Sequence, residues 1–144
     1  QELCNDALYW TTHHTYAADE IAIRFKHRLV SIHCFSNGNG RHSRLIADVI
    51  VHKVLGLELF SWGMGGSIER RALRKTYLDA IRAADAANFG PLLAFAEADT
   101  PGFNGSMGRA GQKVPQRNWD SGSRFVGLNP KNFFSVNIVD TLFL

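Results

Sequence analysis

Two stretches of helical apolar periodicity, joined by one glycine-rich loop, constrain this chain more than any other feature. Residues 18–32, ADEIAIRFKHRLVSI, place Ile21, Phe25, Leu29 and Ile32 at spacings of four, four and three, so one face of a helix is apolar. Asp19 and Glu20 fall in its first turn and Lys26 and Arg28 lie later, the order that suits the helix dipole. Residues 40–55 carry two neighbouring apolar stripes, Leu45, Val49 and His52 on one and Ile46, Ile50 and Val54 on the other, until Gly56 stops the helix. A helix apolar over two stripes is expected at the centre of a bundle. Ser67 is placed to cap a helix over 68–86, with Leu73, Tyr77, Ile81 and Ala84 on its buried side. Asn88 is placed to cap a short last helix carrying Leu92, Leu93 and Phe95, where Pro91 falls in the first turn. Residues 2–14 are a further candidate. The fold class expected is an all-α bundle of five or six helices.

Composition divides the chain near Asp99. Residues 1–98 hold 11 of the 16 basic and 10 of the 13 acidic residues and all of the helical pattern. Residues 99–144 hold six of the 13 glycines and no amphipathic period, and read as an irregular or disordered tail. Its end, FFSVNIVDTLFL, has the apolar character of a short strand. A net charge of +3 excludes a polybasic nucleic-acid binder, while leaving room for a modest anionic ligand. No apolar run approaches the roughly 20 residues of a membrane-spanning helix. Two cysteines, Cys4 and Cys34, form no disulfide framework and no zinc-ligand pair, so a cytoplasmic location is expected. The chain begins with Gln1 and carries no signal peptide, so an N-terminal segment is expected to be missing.

The chemistry concentrates in His33-Cys34-Phe35-Ser36-Asn37-Gly38-Asn39-Gly40-Arg41-His42-Ser43-Arg44, between the two apolar helices. Gly38 and Gly40 let the backbone turn sharply and approach a bulky ligand. The N–H groups around Asn39, Gly40 and Arg41 open the following helix, where unpaired donors and the dipole favour an anion such as phosphate. Arg41 and Arg44, three apart, lie close together on that helix, and each guanidinium grips phosphate oxygens in a fork. His33, just before the loop, titrates in the range where its neutral ring accepts a hydroxyl proton. A base beside a phosphate cradle points to attack of a hydroxyl on phosphorus.

The string HCFSNGNGRHSR resembles the Fic motif, HxFx(D/E)GNGRxxR, at every fixed position but one. With RFKHRLVSIHCF before it and LIAD, LELFSWG, TYLDAIRAAD and PLLAFA after it, residues 10–98 are similar to the Fic-domain branch called mobile mystery protein B. The resemblance implies a cytoplasmic bacterial protein that transfers AMP from ATP to a hydroxyl side chain of a protein target. It casts His33 as the general base and Phe35 as the anchor of the loop in the core. Gly38, Asn39 and Gly40 would form the anion-binding turn, with Arg41 on the phosphates and Arg44 on the terminal one. Asn37 stands where the family has an acid that holds Mg²⁺; an amide oxygen can ligate magnesium but brings no charge, which weakens the site. The resemblance also implies a hairpin flap upstream of the motif and a helix-turn-helix or antitoxin-like partner. No hairpin reads from residues 1–32, and the inhibitory pattern (S/T)xxxE(G/N) has no match.

Two rival readings stand beside this one. A Fic-fold protein that binds a nucleotide or its partner without catalysing transfer would account for Asn37, but has no need of His33. A helix-turn-helix DNA binder would use helix 18–32, the glycine turn and helix 40–55, but that second helix is apolar on most sides and offers no polar face to a groove.

Overall fold

The computed structural model describes residues 2–63 and 69–98. The expected tail over 99–144 and the Ser67 cap lie outside the described residues. The elements are α1 (Glu2–Thr12), α2 (Ala18–Ile32), α3 (Asn39–Val49) with a π-helical extension (Ile50–Val54), α4 (Arg70–Asp85) and α5 (Gly90–Glu97). No strand occurs among the described residues, so the architecture is all-α and no hairpin precedes the loop within them. No helix among them is long and apolar enough to cross a membrane.

The centre of the bundle is α2 rather than α3. It packs against α1, α3, α5 and the π-helical extension, and it buries Ile21, Ala22, Ile23, Phe25 and Leu29. Ala47 and Ser43 of α3 are fully buried, and such small side chains allow close helix approach. The stripe through Leu45 is covered only at Val49, which packs against the core: Leu45 is 60% exposed and His52 is exposed as well. The apolar period of α2 likewise fails at its last turn, where Ile32 is 58% exposed and the chain leaves the helix through His33. Periodicity locates an apolar face, but the neighbours decide how much of it is covered.

The π-helical extension widens the end of α3. Leu55 N–H reaches Ile50 O at 3.0 Å, five residues back, and Leu57 N–H reaches Val51 O at 2.9 Å. Gly56, at φ +67°, completes the stop. The chain then buries Phe60 and Trp62, whose rings meet edge to face at 5.2 Å. Ser61 N–H and Trp62 N–H bond Ala96 O at 2.9 and 3.0 Å, tying this connection to α5. Gly63 is buried at φ +69°, and a Cβ there would sit 2.7 Å from Leu73 Cδ1. Only glycine satisfies both the backbone angle and the close approach of α4.

At the other end of α4, Asn88 does not cap α5. Its N–H bonds Ala83 O at 2.9 Å and closes α4, while Phe89 takes the cap position without a side-chain cap. The connection is too short for one residue to end α4 and also cap α5 through its side chain. Pro91 does fall in the first turn of α5. His27 of α2 pairs with Asp85 of α4 at 2.8 Å, a further tie across the bundle.

Candidate functional site

The loop between α2 and α3 is shaped by two left-handed residues and one buried clasp. His33 ends α2 at φ +58°, a position where glycine or asparagine is usual, and its side chain is exposed. Gly38 opens α3 at φ +83°. Its carbonyl accepts from Arg41 N–H and His42 N–H, both at 3.0 Å. Arg41 N–H is therefore already taken, which leaves the Asn39 and Gly40 N–H groups as the open donors of this helix start. Asn37 Oδ1 accepts from Gly38 N–H at 2.6 Å, folding the amide back onto its own loop.

The clasp is Asn39. Its side chain is buried; Oδ1 accepts from Phe35 N–H at 2.9 Å and Nδ2 donates to Phe35 O at 2.6 Å. One amide thus satisfies both backbone groups of Phe35 and pins the loop to the first turn of α3. The expectation that Phe35 anchors the loop in the core is corrected accordingly. The Phe35 ring is 40% exposed and meets His42 edge to face at 4.8 Å. The loop is held through the Phe35 backbone rather than its ring, because an amide bridging both groups needs no apolar pocket.

These residues open on a cleft of about 540 Å³. His33, Asn37, Gly38, Asn39, Gly40, Arg41 and Arg44 all line it, so the candidate residues other than Phe35 come together in one place. Arg44 Nε donates to Gly40 O at 3.2 Å, and its guanidinium stands 5.7 Å from the centre of the Tyr77 ring. Beneath that ring lies Lys26, fully buried, whose Nζ donates to Tyr77 Oη at 2.7 Å. Burial foremost, then the nearby Arg44 charge, holds the Lys26 amine down to about 7. Burial also pushes the Tyr77 hydroxyl up, with Arg44 opposing it, and pushes the His42 imidazole down.

Four residues of this site were not singled out from the sequence. Arg70, Arg74 and Tyr77 reach the cleft from α4, and Lys26 supports its floor from α2. The spacing of Arg70, Arg74 and Tyr77 at four and three was the available signal, since it puts all three on one side of a helix. Nothing marked that side as facing His33. The aromatic surface of the cleft comes from Tyr77 and Phe95, while Phe60 and Trp62 pack in the core and are absent from its lining.

Among the described residues no aspartate or glutamate lines the cleft. Asp48, one turn along α3 from Arg44, is occupied by Trp62 Nε1 at 2.9 Å, and burial pushes its carboxyl up despite that bond. Among the described residues no group of three or more His, Cys, Asp or Glu could hold a metal. The side chain at the position expected for magnesium is the neutral Asn37 amide. Such a donor set does not suit a magnesium ion held by protein alone, which ordinarily takes one or two carboxylates; it suits one that arrives on a phosphate chain.

No curated protein and no solved structure matches the chain. Residues 1–51, which contain α1, α2, the loop and α3 with every residue from His33 to Arg44, match the model of the Fic/DOC family, and the match supports a Fic relationship for that part of the chain.

Proposed function

We propose that the cleft transfers AMP from ATP to a hydroxyl side chain of a protein target. The observation that carries this reading is the convergence of His33, Arg41, Arg44 and the α3 N-terminus on one cleft. The exposed position of His33 at the edge of that cleft adds to it, since a base must be reachable by the target hydroxyl. In this reaction the His33 imidazole accepts the proton of the target hydroxyl, whose oxygen then bonds to the α-phosphorus. The bond from that phosphorus to the bridging oxygen breaks, and pyrophosphate leaves with the electron pair. Arg41 and the free N–H groups of Asn39 and Gly40 spread the charge that develops on the phosphate oxygens. Arg44 holds the phosphate chain in line, and its bond to Gly40 O keeps it oriented. Asn37 is the residue that would hold a magnesium ion arriving on the phosphates, which would supply charge neutralisation there.

A second reading is favoured by a specific observation. Asn37 Oδ1 is engaged with Gly38 N–H and no described residue brings a carboxylate to the cleft, as suits a protein that binds a nucleotide without transferring it. Under either reading the mobile mystery protein B resemblance leads us to expect a helix-turn-helix or antitoxin-like partner. Incubating the chain with α-labelled ATP, Mg²⁺ and cell lysate, with His33→Ala as control, separates the two. Label on a protein that disappears with His33→Ala supports transfer. Label that survives the substitution removes His33 as the base. No label from the unsubstituted chain, with ATP still bound in calorimetry, selects the binder.

A further inference from the structure

Arg70 and Arg74 stand one turn apart at the start of α4, line the same cleft as Arg41 and Arg44, and are exposed. Among the described residues neither has an ion pair or a hydrogen bond. Of the arginines outside the cleft lining, Arg71 is likewise unpaired among the described residues, whereas three others hold acids. Arg24 holds Glu20, Arg28 holds Asp6 and Arg82 holds Asp79, all outside the cleft. Lys75 shares that same Asp79, so the acid next along α4 is fully occupied. Four guanidiniums therefore face one opening whose lining, among the described residues, includes no acid, and only Arg44 has a carboxylate nearby, that of Asp48. The repulsion among the others is relieved by solvent or by a ligand with several negative charges.

The helix spaces these charges apart. At 1.5 Å of rise per residue, Arg74 lies about 4.5 Å and Arg70 about 10 Å along the α4 axis from Tyr77. Tyr77 is where Arg44 meets α4. Positive charge is thus gathered at two places, one at Arg44 and the α3 N-terminus, the other towards the start of α4. Leu73 and Tyr77 provide apolar surface beside them. Arg70 thus starts about two helical turns from the point where Arg44 meets α4.

We infer that Arg70 and Arg74 form a second phosphate subsite, so that the cleft selects nucleotides carrying phosphate groups set apart from one another over a nucleoside monophosphate. This inference rests on reading the cleft as a nucleotide site. The second phosphate has two possible chemical sources, the far end of a 5′ polyphosphate chain or a phosphate on the sugar 3′ oxygen, and the test distinguishes them.

Calorimetric titration of the full chain with AMP, ATP and adenosine 3′,5′-bisphosphate is the experiment. It is repeated with Arg70→Ala/Arg74→Ala and with Arg71→Ala/Arg82→Ala, which removes equal charge from outside the cleft lining. Alanine on an exposed helix keeps helical propensity, and circular dichroism checks that α4 survives. The expected result is that Arg70→Ala/Arg74→Ala weakens ATP or the bisphosphate by about ten-fold or more, as for loss of charge-assisted bonds, while AMP changes by less than about three-fold. Whichever ligand loses more identifies the source of the second phosphate. An equal loss for AMP, an equal loss in the control pair, or no loss overturns the inference while leaving the nucleotide site standing. If the unsubstituted chain binds neither AMP nor ATP, the nucleotide reading fails and the inference falls with it.

Discussion

Replacing Lys26 by methionine removes a buried amine while keeping much of its apolar stem, and the consequence can be worked through from the cleft floor. The Lys26 side chain is enclosed, its Nζ bonded to Tyr77 Oη at 2.7 Å with Arg44 close by. The folded protein releases the Lys26 proton near pH 7, whereas a free lysine keeps it to 10.5. Between these pH values the unfolded chain binds one proton more than the folded one, so stability rises with pH. At 1.36 kcal/mol per pH unit, the interval accumulates on the order of 5 kcal/mol, comparable with the whole stability of a small domain. Below pH 7 both states carry the proton and the dependence ends. Methionine carries no proton in either state and forfeits the bond to Tyr77, worth about 1 kcal/mol. Urea unfolding followed by circular dichroism at pH 7.5, 8.5 and 9.5 measures the difference. The native chain should gain on Lys26→Met by roughly 1 kcal/mol per pH unit, with Lys26→Met the more stable at pH 7.5. Titrations common to both chains, such as that of Cys4, cancel in the comparison. Parallel pH profiles would refute the reasoning, because they would mean that Lys26 keeps an ordinary proton affinity despite its burial.

Three further outcomes follow from other parts of the molecule. Asn39→Ala strips both backbone groups of Phe35 of their partner and should cost about 2–4 kcal/mol; unchanged amide exchange at Phe35 would contradict the clasp. Gly63→Ala combines a left-handed backbone angle with a Cβ placed 2.7 Å from Leu73 Cδ1, and should cost roughly 1–3 kcal/mol in urea unfolding. Partial recovery is expected on adding Leu73→Ala, and its absence would place the cost in the backbone alone. Asn37→Asp introduces a carboxylate at the cleft and should tighten magnesium-dependent nucleotide binding; equal binding with and without magnesium would remove this position from any metal contact.

Much of the helical frame was legible before any coordinates. The period of Ile21, Phe25 and Leu29 fits the observed α2, and the acidic first turn and Gly56 stop both fall where the chain bends or begins. The misjudged positions have two causes. Ile32, Leu45 and His52 continue an apolar or helical pattern, yet among the described residues no neighbouring helix covers them. Asn88 has the chemistry of a cap, but its backbone is used to close α4 instead. At the cleft, the residues from His33 to Arg44 stood out because they are adjacent in sequence and chemically unusual together. Arg70, Arg74 and Tyr77 lie some 30 residues further on, and nothing local connects them with His33.

The sequence by itself determined that this chain is helical, where the loop lies, and that a histidine, two arginines and a helix start sit within twelve residues. Those are local properties, set by side-chain period, backbone permissiveness at glycine and the unpaired donors of a helix end. Only the tertiary structure decided that α2 is central and that Asn39 rather than the Phe35 ring fastens the loop. It also decided that α4 brings two more arginines to the same opening. Burial, and the proton release of Lys26 with it, likewise belongs to the assembled bundle, because the solvation of a charge depends on everything packed around it.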